Sequence, residues 1–396
     1  MNTNAKQHQT PIIVVGAGIV GITTAYVLQA SGKYAVTVVA EYLPLPTLSD
    51  AYTTSAAPAW ASPFAGGNWH GYAKLDQTDL QQKELFTLHM LQKLCDLYPD
   101  SSIKRVKGYE YRKAADYIEP YFIRHISGVR YIPTSELPPQ GIDVGVEFDT
   151  VVFNAPEYLA WLARKFVAIG GVLRQSTRLS SLSDALKYAP TPSSPSSNEN
   201  NNGAGVVVVN CTGLGSRYLV DVADAAVTPA RGHVVLVRSP ECQDVTVSDE
   251  SEWFYVIPRG NGTVILGGTY DIGNWSQTTN PDTTTRILQN TIRLCPQLIG
   301  EPATSHTTAQ NIDDRVAKLR ERIVSEHVGF RPMRVGGVRL ELSQLDVGNV
   351  PVVHNYGHGG YGYQSSWGYA YGAMRLVDQA VNSSCSVGPK HTQSKL

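Results

Sequence analysis

The chain has 396 residues, of which 42% are hydrophobic and 17% charged, and its formal net charge is -1. That length exceeds what one core usually serves, so two domains are expected, and the balanced charge excludes the one-signed field that nucleic acid or an anionic membrane would select. The longest apolar runs are only strand-sized, and the start MNTNAKQHQT lacks the apolar core of a signal peptide, so neither a membrane span nor secretion is expected.

The first element is the most informative. A β-branched run, PIIVV, enters Gly16-Ala-Gly18-Ile-Val-Gly21, a helical pattern follows, and Ala35-Val-Thr-Val-Val39 reads as a second strand closed by Glu41. This is the layout of a dinucleotide-binding βαβ unit. The first glycine allows the sharp turn, the second lets backbone approach a pyrophosphate, and the third lets helix and sheet pack closely. Ile19 and Val20 open the helix whose unpaired N–H groups would meet the phosphates, and Glu41 is placed to accept from a ribose. FAD and NAD share this fingerprint, so it does not choose between them.

Residues 52–69 are small, polar and kinked by Pro58 and Pro63, which excludes regular structure. Residues 79–98 place Leu80, Leu85, Leu88, Leu91, Leu94 and Leu97 at helical spacing, which predicts a core-facing helix. Residues 156–170 predict a second helix, opened by Pro156 and ended by Gly170-Gly171, with a strand-like VLRQSTRLSS after it. Residues 190–205 are rich in Ser, Pro and Asn and read as a disordered surface loop. Val206-Val-Val-Val-Asn210 then reads as a buried parallel strand ending in the glycine turn of Thr212 and Gly213.

From about residue 229 the pattern becomes antiparallel β, with HVVLV, a hairpin over WFYVIPRGNGTVILGG, and a helix over 283–298. The end of the chain runs from the strand VPVVHNY through a glycine-rich turn into a last helix. Dinucleotide features therefore occur in three separate pieces. A nucleotide domain built from 1–67, 152–228 and 336–396, interrupted by a substrate domain built from 68–151 and 229–335, accounts for that spacing.

Five cysteines, Cys95, Cys211, Cys242, Cys295 and Cys385, show no metal-ligand spacing. Free thiols are expected, with a Cys242–Cys295 bond as an exception that the sequence leaves open. His354 and His358 are four apart, but in a glycine-rich turn rather than on a helix, so no metal site is expected. The last three residues, Ser394-Lys395-Leu396, form the peroxisomal import address, which implies an import receptor as a partner.

Taken in order, GAGIVG, SPFAGGNW, NCTGLG, FYVIPR with GGTYDIGNW, GFRPMRVGGVRLE, NYGHGGYGYQSSWG and the terminal SKL resemble the D-amino-acid oxidase family of peroxisomal FAD enzymes, in particular its fungal members. The resemblance spans nearly the whole chain. It implies an α/β fold in which a Rossmann-like FAD-binding domain with a parallel sheet is interrupted by a substrate domain with a large antiparallel or mixed sheet. It decides FAD over NAD.

The resemblance also implies roles. Arg331 would bind the substrate carboxylate through its planar fork, a geometry that matches carboxylate bidentately. Tyr255 would share that carboxylate, Tyr270 would be the second tyrosine of the site, the Gly360 carbonyl would accept from the substrate amine, and Gln364 would be a nearby polar group. Ser55, Gly66, Gly67, Thr212, Gly213, Gly357, Gly359, Gly360, Tyr361 and Gly362 would join the first glycine turn, and Arg331, around the flavin. The implied reaction is oxidative deamination. The Cα hydrogen leaves as hydride to the flavin, and a 2-oxo acid, ammonia and hydrogen peroxide result, with O2 as the electron acceptor.

Neutral and apolar D-amino acids are the expected substrates, because an acidic side chain needs an added cation and Asn68 stands where the fungal acidic type carries a histidine. His70 and Arg259 are the loop cations that would change this expectation. The alternatives are a D-aspartate oxidase, a nicotinamide-dependent dehydrogenase and a flavin-binding protein without turnover. No nucleic acid or membrane partner is expected, and a homodimer is compatible with the sequence.

Overall fold

The computed structural model describes residues 9–44, 60–138, 141–189, 205–249, 253–305, 311–345 and 349–385. Ser55, nearly all of the Ser/Pro/Asn stretch and the terminal tripeptide lie outside them.

The strands and longer helices of the described residues run in the order β1 (Thr10–Val15), α1 (Ile19–Ala30), β2 (Tyr34–Ala40), α2 (Thr78–Leu97), β3 (Ile103–Arg112), β4 (Arg130–Tyr131), β5 (Val144–Phe153), α3 (Ala155–Ala168), β6 (Val172–Gln175), β7 (Val207–Asn210) and β8 (Val227–Arg238). There follow β9 (Val245–Asp249), β10 (Trp253–Pro258), β11 (Thr263–Gly267), β12 (Asp271–Ile272), α4 (Pro281–Leu294), α5 (Ile312–Arg320), β13 (Ile323–Arg334), β14 (Arg339–Gln344), β15 (Pro351–Tyr356) and α6 (Ser366–Cys385).

Two sheets organise these elements. The first has the order β14-β15-β7-β1-β2-β6 and is parallel except for β14, which returns antiparallel to β15. Its central strands are apolar on both faces because both are covered. Ile12 and Val14 pack with α1 and α6, while Ile13 and Val15 pack with Leu182, Val208 and Val352 on the other side. Its strands come from the start, middle and end of the chain, so the contact that closes it is non-local.

The second sheet has nine strands and is mixed, since β3 runs parallel to β9 while its other pairings are antiparallel. Its axis is the long strand β8, which carries β11 and β12 on one side and the full length of β13 on the other. The hairpin read over residues 253–268 is present as β10–β11, with Tyr255 opposite Gly267. The antiparallel pattern begins well before residue 229, however. Residues 103–112 and 144–153 already form a ten-residue antiparallel pair of this sheet, a pairing their charged outward positions concealed. The strand expected after α3 is shorter than VLRQSTRLSS suggests, because β6 is an edge strand that pairs only along the end of β2.

Helix α2 explains how the sheets are joined. Leu88, Leu91 and Leu94 face the main core, which also contains Phe148 and Phe153 from β5 and Trp367 and Ala370 from α6. Among the described residues no helix is long and apolar enough to cross a membrane.

Candidate active site

Gly16 leaves β1 with φ 107°, and a Cβ there would lie 2.5 Å from the Cys211 carbonyl oxygen, so only glycine allows this turn beside β7. Gly21 lies against the Gly16 carbonyl, where any Cβ would collide with it, which is why the third glycine of the turn is required although it does not itself line the cleft. Gly18 then caps α1 without a side-chain hydrogen bond, no acidic residue occupies the first turn, and Ile19 N–H donates to Ser62 Oγ at 3.0 Å. The positive end of the α1 dipole therefore faces the cleft with no acidic residue in the helix's own first turn to balance it.

That cleft has a volume of about 1420 Å³. Pockets for a single small ligand usually run to about 1,000 Å³ or less, so a dinucleotide and a substrate have room together. One end is formed by Gly16, Gly18, Val20, Glu41, Thr212 and Gly213, and the middle by Gly66, Gly67 and the turn Gly357 to Gly362. Tyr42 stacks on Trp60 at that first end, with ring centroids 6.0 Å apart. Asn210 organises the second glycine turn, its Oδ1 accepting from Thr212 N–H at 3.1 Å and from Thr212 Oγ1 at 2.8 Å. The chemistry of this end fits an adenine dinucleotide: glycine backbone for phosphates, a carboxylate for a ribose, aromatic edges around them.

The other end carries side-chain chemistry. β13 runs along β8 and presents Arg331, whose Nη1 donates to the Thr269 carbonyl at 3.0 Å. The Arg331 guanidinium lies 5.1 Å from the centre of the Tyr270 ring, and among the described residues no carboxylate pairs with it. Arg231, one strand away, is by contrast spent on structure, donating to the Ser276 and Thr278 carbonyls. Gly360 lies beside Arg331, where a Cβ would make an ordinary contact at 3.5 Å with Arg331 Cδ.

The two segments are clasped together. Asp224 accepts from Arg334 Nε at 2.8 Å and from the Tyr356 hydroxyl at 2.7 Å, tying the end of β13 to the end of β15 just before Gly357. Burial would raise the Asp224 carboxyl, but those two donors outweigh it and hold it below its ordinary range.

Tyr255 is buried on β10 and lines the cleft. Tyr270 is 51% exposed, and its hydroxyl donates to Met333 Sδ at 3.1 Å. Gln364 is 7% exposed with its Oε1 unpartnered, a buried acceptor directed at the same cleft. Burial also pushes Tyr361 up to about 12 and His358 down to about 3, so the former stays protonated and the latter neutral at physiological pH.

Tyr72 belongs to this end as well, and no local pattern marks it. The Glu84 carboxylate, wholly buried on α2, accepts from the N–H groups of Tyr72 and Ala73 at 3.1 Å and from the Tyr121 hydroxyl at 2.6 Å. This hangs the loop carrying Tyr72 from the helix. Tyr72 itself stays 43% exposed and lines the cleft.

The two loop cations singled out in the sequence do not enter the cleft. His70 Nε2 meets Glu110 at 2.9 Å in the core, and Arg259 Nη2 donates to the Ala65 carbonyl at 3.1 Å. Lys74 and Arg286 line the cleft instead. His354 is engaged by Asn210 and Ser343, whereas His358 packs edge-on against Tyr369 with centroids 4.6 Å apart, so the two rings serve different neighbours. Among the described residues no cluster of His, Cys, Asp or Glu could hold a metal ion.

The chain is similar to known proteins over nearly its whole length. Residues 11–374 match the family model described as DAO, FAD dependent oxidoreductase. The chain is 31% identical over 388 residues to a D-amino-acid oxidase of Fusarium vanettenii, covering 93% of this chain and 96% of that protein. It is 32% identical over 401 residues to a D-aspartate oxidase of Cryptococcus neoformans var. grubii, covering 94% and 98%. The crystal structure of glycine oxidase from Geobacillus kaustophilus superposes with a TM-score of 0.65 at 17% identity, over 95% of each chain, a likeness of fold.

Proposed function

Because the chain belongs to the D-amino-acid oxidase family of FAD-dependent oxidoreductases, we propose that it oxidatively deaminates D-amino acids at the Arg331 end of the cleft. The observation that carries this reading is a half-buried guanidinium that faces the cleft and has no acid partner among the described residues. Such a group favours an anionic ligand, and a carboxylate matches its fork.

FAD bound in the cradle supplies a two-electron acceptor; the chain's own residues supply placement. Arg331 and the Tyr255 hydroxyl hold the α-carboxylate. The Gly360 carbonyl and Gln364 Oε1 are acceptors for the α-amino group. Fixing carboxylate and amine leaves one direction for the side chain, toward the wall of Tyr72, Val247 and Trp253, and so selects one enantiomer. None of the perturbed groups in the cleft titrates near neutrality, which supports a site that works by orientation and exclusion of water rather than by a general base.

The aromatic wall favours neutral and apolar side chains. A second reading, an acidic substrate, is favoured by the Lys74 ammonium, which lines the cleft and has no ion-pair partner among the described residues. Initial rates on D-alanine and D-aspartate separate the two. Loss of the yellow flavin colour on anaerobic addition of D-alanine, with none on L-alanine, is the expected result for the activity itself; bleaching by the L enantiomer alone would overturn it. Hydrogen peroxide is the reduced oxygen product on this reading. Residence in the peroxisome is supported by the tripeptide Ser394-Lys395-Leu396 and is checked by imaging a fusion that leaves those residues terminal.

A further inference from the structure

Cys242 follows β8 in the turn toward β9, and Cys295 caps the C-terminus of α4. Their sulfurs lie 3.5 Å apart, and each residue is 4% exposed in a core of Val237, Leu288, Ile292 and Leu298. Backbone bonds hold each in its own element, Cys242 N–H to Ser239 and Cys295 N–H to Thr291. Polar ties then pin the two elements to each other around the pair: Ser239 Oγ donates to the Gln297 carbonyl at 3.3 Å, and Arg322 Nη1 donates to both the Leu298 carbonyl and Glu241 at 3.1 Å. The approach of the sulfurs is thus imposed by packing on all sides. Cys242 Sγ also lies 3.9 Å from the Asp244 carbonyl.

From this juxtaposition we infer that Cys242 and Cys295 form an oxidisable dithiol that closes to a disulfide with hydrogen peroxide. The oxidant rests on the functional reading above, which makes peroxide the product of turnover. The step balances: one sulfur attacks the peroxide O–O bond, giving a sulfenic acid and releasing water, and the second sulfur displaces a second water to form the S–S bond. Two thiols lose two protons and two electrons, and one peroxide takes them up to become two waters. Bond formation brings the sulfurs from 3.5 Å to about 2 Å. The S–H contact with Cys295 and burial both push the Cys242 thiol up, so closure takes sustained exposure rather than one catalytic cycle.

The bond would enclose β9, β10, β11, β12 and the whole of α4 in one covalent loop, and that loop carries both Tyr255 and Tyr270. Its consequence is greater resistance of the substrate end to unfolding. The test uses the full-length flavin-loaded protein, reduced with dithiothreitol, desalted and treated with added hydrogen peroxide, so that the thiol chemistry is read independently of turnover. Expected are a mass loss of two hydrogens, a non-reducing digest that joins the Cys242 and Cys295 peptides, and a melting temperature raised by about 3 °C or more. Cys242→Ser and Cys295→Ser should each abolish all three changes while keeping flavin and turnover. Peroxide that oxidises Cys95 but leaves Cys242 and Cys295 open to alkylation after unfolding would overturn the inference, as would their separate conversion to sulfinic acids.

Discussion

The two ends of the cleft are built from different materials. At the dinucleotide end the contacts are backbone turns, with Gly16 and Gly21 packed so tightly against neighbouring carbonyls that no Cβ fits. At the substrate end the contacts are side chains, Arg331, Tyr255, Tyr270, Gln364 and Tyr72, delivered from separate strands and loops. The first end responds to substitution as a lock does, by admitting or refusing the cofactor. The second responds in steps, because each group contributes a hydrogen bond or a charge.

The sharpest way to break this contrast is Gly16→Val. A branched side chain at φ 107° and in contact with Cys211 should yield protein without bound flavin, seen as loss of visible absorbance, with substrate groups untouched. Arg331→Ala should do the reverse. Flavin stays, and kcat/KM for D-alanine falls by about 10³, matching the roughly 2–5 kcal/mol lost when one partner of a desolvated charge pair is removed. Unchanged kcat/KM there would remove the central premise. Tyr255→Phe sharpens the comparison, since deleting one hydrogen bond to a charged group costs about 1.5–3 kcal/mol and should lower kcat/KM roughly 10- to 100-fold.

The smallest effect is one of stability behind the substrate wall. Burial would raise the Glu110 carboxyl, but His70 and then Arg112 outweigh it and hold it at about 2. A carboxylate depressed in the folded state stabilises the fold above its unfolded pKa of roughly 4.3, and that contribution is lost as pH falls toward about 2. Glu110→Gln should therefore flatten the acid limb of a melting-temperature profile between those values, while leaving its neutral-to-basic side parallel to that of the unaltered protein.

How far the sequence reveals each end follows from the same contrast. The βαβ unit is legible because turn, helix and strand lie within one short stretch, and the structure places its glycines where that stretch requires them. The pair β3–β5 was not legible: its partners sit far apart in sequence, and IKRVKGYEYR carries more charged than hydrophobic residues. Arg331 and Tyr255 were identified from motifs, whereas their place in one cleft depends on the non-local strand order β13-β8-β11-β10. Tyr72 escaped notice because what places it is a carboxylate on another element. His70 and Arg259 were considered for the cleft, yet a buried acid and a backbone carbonyl claim them.

The suspension of residues 72 and 73 from Glu84 makes one wall of the cleft a passenger of helix α2, which also packs along α6 behind the glycine-rich turn. Selectivity is then adjustable from a distance: a change on the hidden side of that helix would widen or narrow the opening without altering any group that meets the ligand. Directed evolution for bulkier amino acids should accordingly accumulate hits in α2 as readily as in the cleft itself.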